Sequence, residues 1–170
     1  MKKNLLKEKI ISSILEMHNY LKMQDYYEDI NSYALYTDDS FMSISLIFNT
    51  NSYLNRKKND KYYLTYKYNP AEWFSETLKN DTIIYKNVYF YEISRLLKEW
   101  ALSNHDNEEV LIDCCISALK ELKNSADLGK DKLLLFMVSD CFYGEDIVKW
   151  NSQYNTNEVI EEIKIWIKDE

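Results

Sequence analysis

Leu6, Ile10, Ile14, Met17 and Leu21 recur at steps of three and four, Leu5, Ile11, Leu15 and His18 widen the stripe, and Lys7, Lys9, Glu16 and Lys22 fall elsewhere. That spacing predicts an amphipathic first helix. Beyond Asp25 the pattern turns to β-favouring residues: Tyr33-Ala34-Leu35-Tyr36-Thr37, a turn at Asp38-Asp39-Ser40, then Phe41 through Phe48. Two antiparallel strands joined by a short turn are expected. In the second, Met42, Ile44, Leu46 and Phe48 share one face and Ser43 and Ser45 the other, so one face belongs to the core and the other is partly covered.

Asn49-Thr50 offers a helix cap before Tyr53 and Leu54, and Arg56-Lys57-Lys58 suits the negative end of a short helix. In 62–68 the residues Tyr62, Leu64, Tyr66 and Tyr68 alternate with Tyr63, Thr65 and Lys67, which predicts a third strand. It stops at Asn69-Pro70-Ala71-Glu72-Trp73, where asparagine can cap, proline takes the first helical position and Glu72 falls three residues after the cap, a capping box.

Helices are predicted at 87–103 and 107–123, split by Asn104-His105-Asp106, with Asp106 and Glu109 spaced as a second capping box. So short a link implies an antiparallel pair, and the second helix is apolar nearly all round its first half, so it should pack on two sides. Gly129 closes this region. Leu133 to Val138 is a continuous apolar run of strand length, which reads as a strand buried on both faces and internal to the sheet. Asn155 and Glu158 form a third capping box before a terminal helix that uses Val159, Ile163, Trp166 and Ile167.

Composition narrows the class. The 170 residues carry 28 acidic and 21 basic side chains, a formal charge of −7, which argues against general nucleic-acid binding through positive charge. With 46% hydrophobic residues, 2 glycines and 1 proline, residues 1–170 read as one domain with a single core and little room for a glycine-cradled phosphate loop. Cys114, Cys115 and Cys141 form an odd set without a disulfide framework, no run approaches the roughly 20 apolar residues of a membrane span, and no leader pattern opens the chain. The expectation is a cytoplasmic protein with no membrane contact and with its cysteines as small core residues.

Catalytic constellations are thin. His18 lies in a helix stripe and His105 in a helix link, neither with cysteine at ligand spacing, so no metal, no cofactor and no catalytic residue is assigned. Asp38, Asp39, Glu72 and Asp140 stand at expected strand ends or a helix start, where carboxylates could converge to bind a cation or act as an acid/base pair. Each also has a structural reading: Asp38 and Asp39 as turn residues, Glu72 in its capping box, Asp140 where a strand must stop. Tyrosine is abundant, 15 of 170 residues, and suits interfaces by joining apolar area to a polar tip; the bias towards Lys, Asn and Ile offers genome composition as the other explanation.

Several stretches together, Tyr33 through Asp39, Ile44 through Thr50, Tyr68 through Trp73, Val138-Ser139-Asp140 and Trp150 through Asn155, resemble the bacterial domain-of-unknown-function family numbered 4303. The likeness spans most of the chain beyond the first helix. Asn51-Ser52 departs from the acidic residues usual there, and Asn69 stands where serine is more usual. The resemblance implies fold and context rather than a reaction, and family members are similar in general character to small acidic immunity proteins of polymorphic toxin systems.

The expected fold is α+β, an antiparallel sheet of about four strands near 32–37, 41–48, 62–68 and 132–139 with helices packed chiefly on one face. The leading function is non-enzymatic binding of a protein partner, a basic toxin domain being the partner that charge favours. The alternatives are a small-ligand-binding protein or enzyme with a pocket near Tyr36, Asp38, Glu72, Trp73 and Asp140, and an intracellular adaptor.

Overall fold

The computed structural model describes residues 3–102, 108–125, 127–139 and 144–169. Among them lies a three-stranded mixed sheet in the order β2-β1-β3, formed by β1 (Ile30–Thr37), β2 (Ile44–Thr50) and β3 (Leu133–Val138). The helices are α1 (Lys3–Leu21), α2 (Asn51–Lys57), α3 (Tyr63–Tyr68), α4 (Thr82–Tyr85), α5 (Tyr91–Leu102), α6 (Glu108–Ser125), α7 (Gly144–Asn151) and α8 (Asn157–Asp169). The class is α+β. The sheet is not the antiparallel one of about four strands, because β1 runs antiparallel to β2 but parallel to β3.

The expected strand at 62–68 is the helix α3. Asp60 starts it: its carboxylate accepts from Tyr62 N at 2.9 Å and its carbonyl from Tyr63 N at 3.1 Å. Such a turn commits the chain to helical geometry at once. The alternating aromatics satisfied a period of two, yet Leu64 and Tyr68 are also four apart, and a stretch this short fits both periods. The cap at Thr50 is as expected, its side chain accepting from Tyr53 N at the start of α2.

Both faces of the sheet are covered, not chiefly one. Pairing places Tyr33 beside Phe48 and Leu134, and Leu35 beside Leu46 and Phe136, so these share a face. His18 of α1 meets Tyr33 there, and α6 packs on α1 and β3. The opposite face carries Ala34, Ile47 and Leu135, with Asn49 donating to Tyr66 O of α3 at 3.0 Å. α8 packs on α3, with Tyr68 beside Trp166 and its hydroxyl donating to Glu162 at 2.7 Å. The stripe Leu6, Ile10, Ile14, Met17 and Leu21 is buried as its spacing predicts, each such side chain contributing roughly 1.5–3 kcal/mol over exposure. The two-sided burial of α6 also stands, but its principal helical partner is α1 rather than α5, so the expected pair of sequence neighbours is not the main helix contact.

β3 is an edge strand, against the expectation that it lies inside the sheet. A neighbouring strand is replaced by side chains: Asn151 takes both main-chain groups of Phe136, and Asn155 Nδ2 donates to Leu134 O at 2.8 Å. The outer edge of β2 is closed in the same manner, Phe48 N donating to Ser75 Oγ and Ile44 N to Ser94 Oγ, each at 3.2 Å. Unpaired edges invite association with other chains, and both edges here are engaged. Asn155 therefore does not cap α8; Ile160 N donates to Thr156 O, and Thr156 sits at that helix start.

Candidate functional site

The connection from β1 to β2 is built around Asp38. Its carboxylate accepts from Ser40 Oγ, Ser43 Oγ and Met42 N, and Phe41, buried and at φ 54°, turns the chain back. Burial alone would raise the Asp38 carboxyl; the hydrogen bonds from Ser40, Ser43 and Met42 outweigh it and hold the group below its ordinary value. Asp38 is thus tied into its own turn, and Asp39 beside it is exposed.

Glu72 and Trp73 lie elsewhere. The capping box at 69–72 is half formed: Asn69 Oδ1 accepts from Ala71 N at 3.1 Å, but the following segment is a single 3₁₀ turn, Pro70–Glu72, and the exposed Glu72 carboxylate makes no hydrogen bond among the described residues. The reciprocal bond needs the Asn69 amide, and that amide instead donates to Thr65 O at 2.8 Å at the end of α3. Trp73 is fully buried, and its Nε1 has no hydrogen-bond partner among the described residues. Asp140, Cys141, Tyr143, His105 and Asp106 lie outside the described residues. Of the five singled-out residues that are described, Tyr36, Asp38, Asp39, Glu72 and Trp73, Tyr36 alone lines the cavity described next.

That cavity, of about 240 Å³, opens on the Ala34 face of the sheet and is lined by Tyr36, Ser45, Ile47, Ser75, Glu76, Ile84, Tyr85 and Asn87. β1 and β2 supply its floor, Tyr36 and Ser45 being paired across the strands. The wall comes from residues 75–87, anchored by the Ser75 bond to β2 and by Asp81, which caps α4 through Ile83 N and Ile84 N and accepts from Tyr20 Oη at 2.8 Å. Asn87 sits at φ 47°, a left-handed conformation that asparagine tolerates, and so reverses the chain at the rim. Glu76 is the only ionisable carboxyl in the lining, and burial raises it above its ordinary value while Lys79 pulls the other way.

Beyond the rim, Tyr85, Val88 and Tyr91 are 64%, 48% and 66% exposed. Residues 88–90 form a 3₁₀ turn, in which positions three apart eclipse, so Val88 and Tyr91 stand on one line with Phe90 buried as their anchor. A second cleft, of about 280 Å³, lies between α6 and α7 and gathers Glu108, Glu109, Asp113 and Asp146 around Trp150, with Lys149 as the lysine in its lining.

His18 is a core histidine. It is buried, shares a hydrogen bond of 2.9 Å between Nδ1 and Tyr33 Oη, and is lowered to about 4 by burial and then by Lys22 and Lys132, so it is neutral at pH 7. Cys114 and Cys115 are buried and reduced, with burial raising both thiols. Among the described residues no group of three or more His, Cys, Asp or Glu could hold a metal, and no helix is long and apolar enough to cross a membrane.

Sequence reading missed Ser45, Glu76, Tyr85 and Asn87 as site residues. Segment 74–90 is built of 3₁₀ turns and one four-residue helix, and elements that short carry no periodicity to read. The one usable signal was Tyr85, Val88 and Tyr91 at steps of three around Asn87.

Residues 6–148 match the model of DUF4303, a domain of unknown function. Neither the curated proteins nor the solved structures provide a match.

Proposed function

The chain belongs to the DUF4303 family, domains of unknown function, and from that premise we propose that it is a non-catalytic protein-binding domain for a positively charged partner. The observation that carries this reading is the exposed Val88 and Tyr91, three residues apart across one 3₁₀ turn, together with the exposed Tyr85 on the rim of the Tyr36 cavity. Tyrosines beside a pocket supply large contact area at low rotamer cost, the composition of interface hot spots. The charge of −7 and the Glu109 and Asp146 carboxylates of the α6/α7 cleft, where Asp113 is already paired with Lys3, favour a basic partner, since complementary charge speeds encounter. A basic toxin domain neutralised inside its producer has that chemistry, which makes this chain an immunity protein in this reading.

The test is site-directed. A photo-crosslinking residue in place of Val88, with Lys120 on α6 as the control position, should capture one protein at the first position only. With that protein purified, Tyr91→Ser should weaken binding at least tenfold, about 1.4 kcal/mol. Equal capture at both positions, or undiminished affinity in Tyr85→Ser and Tyr91→Ser together, would overturn the assignment of this surface.

A further inference from the structure

We propose that the Tyr36 cavity is a receptor for one organic cation, a primary ammonium or a guanidinium group, with the Glu76 carboxylate as its counter-charge and the Tyr36 and Tyr85 rings as its aromatic walls. The protein-binding reading is needed only to name the source of that group, a lysine or arginine side chain of the partner.

The lining sets the chemistry. It holds one carboxylate and no cationic side chain, and Glu76 makes no hydrogen bond or ion pair among the described residues, though the charge of the exposed Lys79 acts on it. Glu76 is exposed at the mouth of the cavity, so a cation can reach its carboxylate from solvent and be held there by charge-assisted hydrogen bonds. Tyrosine faces attract the same charge through their quadrupoles, and a carboxylate with aromatic neighbours is the combination that selects alkylammonium and guanidinium groups. Ser45 donates to Tyr36 O at 3.3 Å, which leaves its hydroxyl lone pairs as acceptors, while Ile47 and Ile84 offer apolar contact for a methylene stem.

Size selects the occupant. About 240 Å³ falls below the roughly 300–1,000 Å³ of pockets for drug-sized ligands. The space suits the end of one side chain. The exposed Tyr85, Val88 and Tyr91 then meet the polypeptide that carries it, so the cavity and the patch act as one recognition surface.

The probes are n-butylammonium and methylguanidinium chloride, with n-butanol as the neutral control, followed by amide chemical shifts at matched ionic strength. Saturable shifts confined to the neighbourhood of Ser45, Glu76, Tyr85 and Asn87 are expected with the two cations. Butanol should bind at least tenfold more weakly, and Glu76→Gln, at an exposed residue and so with an unchanged melting temperature, should lose at least tenfold in cation affinity. Tyr85→Leu, also at an exposed position, should lose several-fold. No saturable shift, equal binding of butanol, or unchanged cation affinity in both variants would overturn the site. An acetylated Gly-Arg-Gly amide that binds more tightly than methylguanidinium assigns the source to a protein side chain, and weaker peptide binding assigns it to a free amine. These probes need no partner, so their failure leaves the protein-binding reading intact, and failure of the cross-linking test leaves the cation site intact.

Discussion

Asn151 and Phe136 are joined as two strands would be: Phe136 N donates to Asn151 Oδ1 at 3.0 Å and Asn151 Nδ2 donates to Phe136 O at 3.0 Å. The amide is fully used, because Oδ1 also accepts from Tyr154 Oη at 2.8 Å and Nδ2 donates to Ile147 O at 2.9 Å. One buried side chain thereby closes the edge of β3, ties it to α7 and holds Tyr154.

Asn151→Leu keeps the volume but strands the Phe136 amide and carbonyl in the core. Each buried polar group left unpaired costs about 1–3 kcal/mol, so a loss of roughly 2–5 kcal/mol is expected in urea denaturation, with faster hydrogen exchange at Phe136. Stability within about 0.5 kcal/mol of wild type would mean that the edge needs no such partner.

Stability should respond to pH through His18. Its folded value of about 4 lies below the ordinary 6.5, so between these values the unfolded chain binds the proton and the folded chain does not. The contribution is complete above pH 6.5 and is lost as pH falls towards 4, with a slope of at most about 1.4 kcal/mol per pH unit. His18→Gln, which can still bond Tyr33, should flatten this part of the curve; a curve of unchanged slope would exclude His18 as its source.

Asp38 and Asp39 should separate cleanly. Asp38→Ala removes the acceptor of Ser40, Ser43 and Met42 N and should cost about 1 kcal/mol, moderated by the solvent around a half-exposed carboxylate. Asp39→Lys should leave the melting temperature unchanged. Because the Asp38 carboxyl is held below its ordinary value, its contribution is present above about 3.8 and disappears as pH falls through the lower folded value. Equal effects of the two substitutions on thermal melting would count against the turn assignment.

Native-state thiol labelling of Cys114 and Cys115 should be slow in a Cys141→Ser background, because both sulfurs are buried and burial keeps them protonated. Rapid modification of either before unfolding would contradict the packing of α6 on α1.

Association with the partner captured through Val88 should slow as salt rises, while dissociation changes less, since screening acts over a Debye length of roughly 8 Å at physiological ionic strength. Reversing Glu108 and Glu109 to lysine should lower the association rate several-fold with the fold intact. A rate independent of salt would remove electrostatic steering, and with it the preference for a basic partner.

Readings that depend on neighbours within one helical turn or one hairpin were legible in the chain itself. The α1 stripe, the Thr50 cap, the β1/β2 pair and the burial of His18, Cys114 and Cys115 follow from spacings of a few residues and side-chain chemistry. The acid at position 72 misled, because a capping box is read from two letters while the Asn69 amide it needs is taken by Thr65 O of the preceding helix. Likewise the apolar run 133–138 announced burial on both faces but could not announce its neighbours. Only the tertiary structure placed Leu35 against Phe136 in a parallel pair, gave β3 an asparagine in place of another strand, and set residues 75–87 beside Tyr36 to form a cavity. The physical reason is range: periodicity and capping are energies between residues close in sequence, whereas register, edge closure and cavity shape are decided by contacts between segments far apart, for which many pairings of the same apolar strands are nearly equal until side chains such as Asn151 and Ser75 select one.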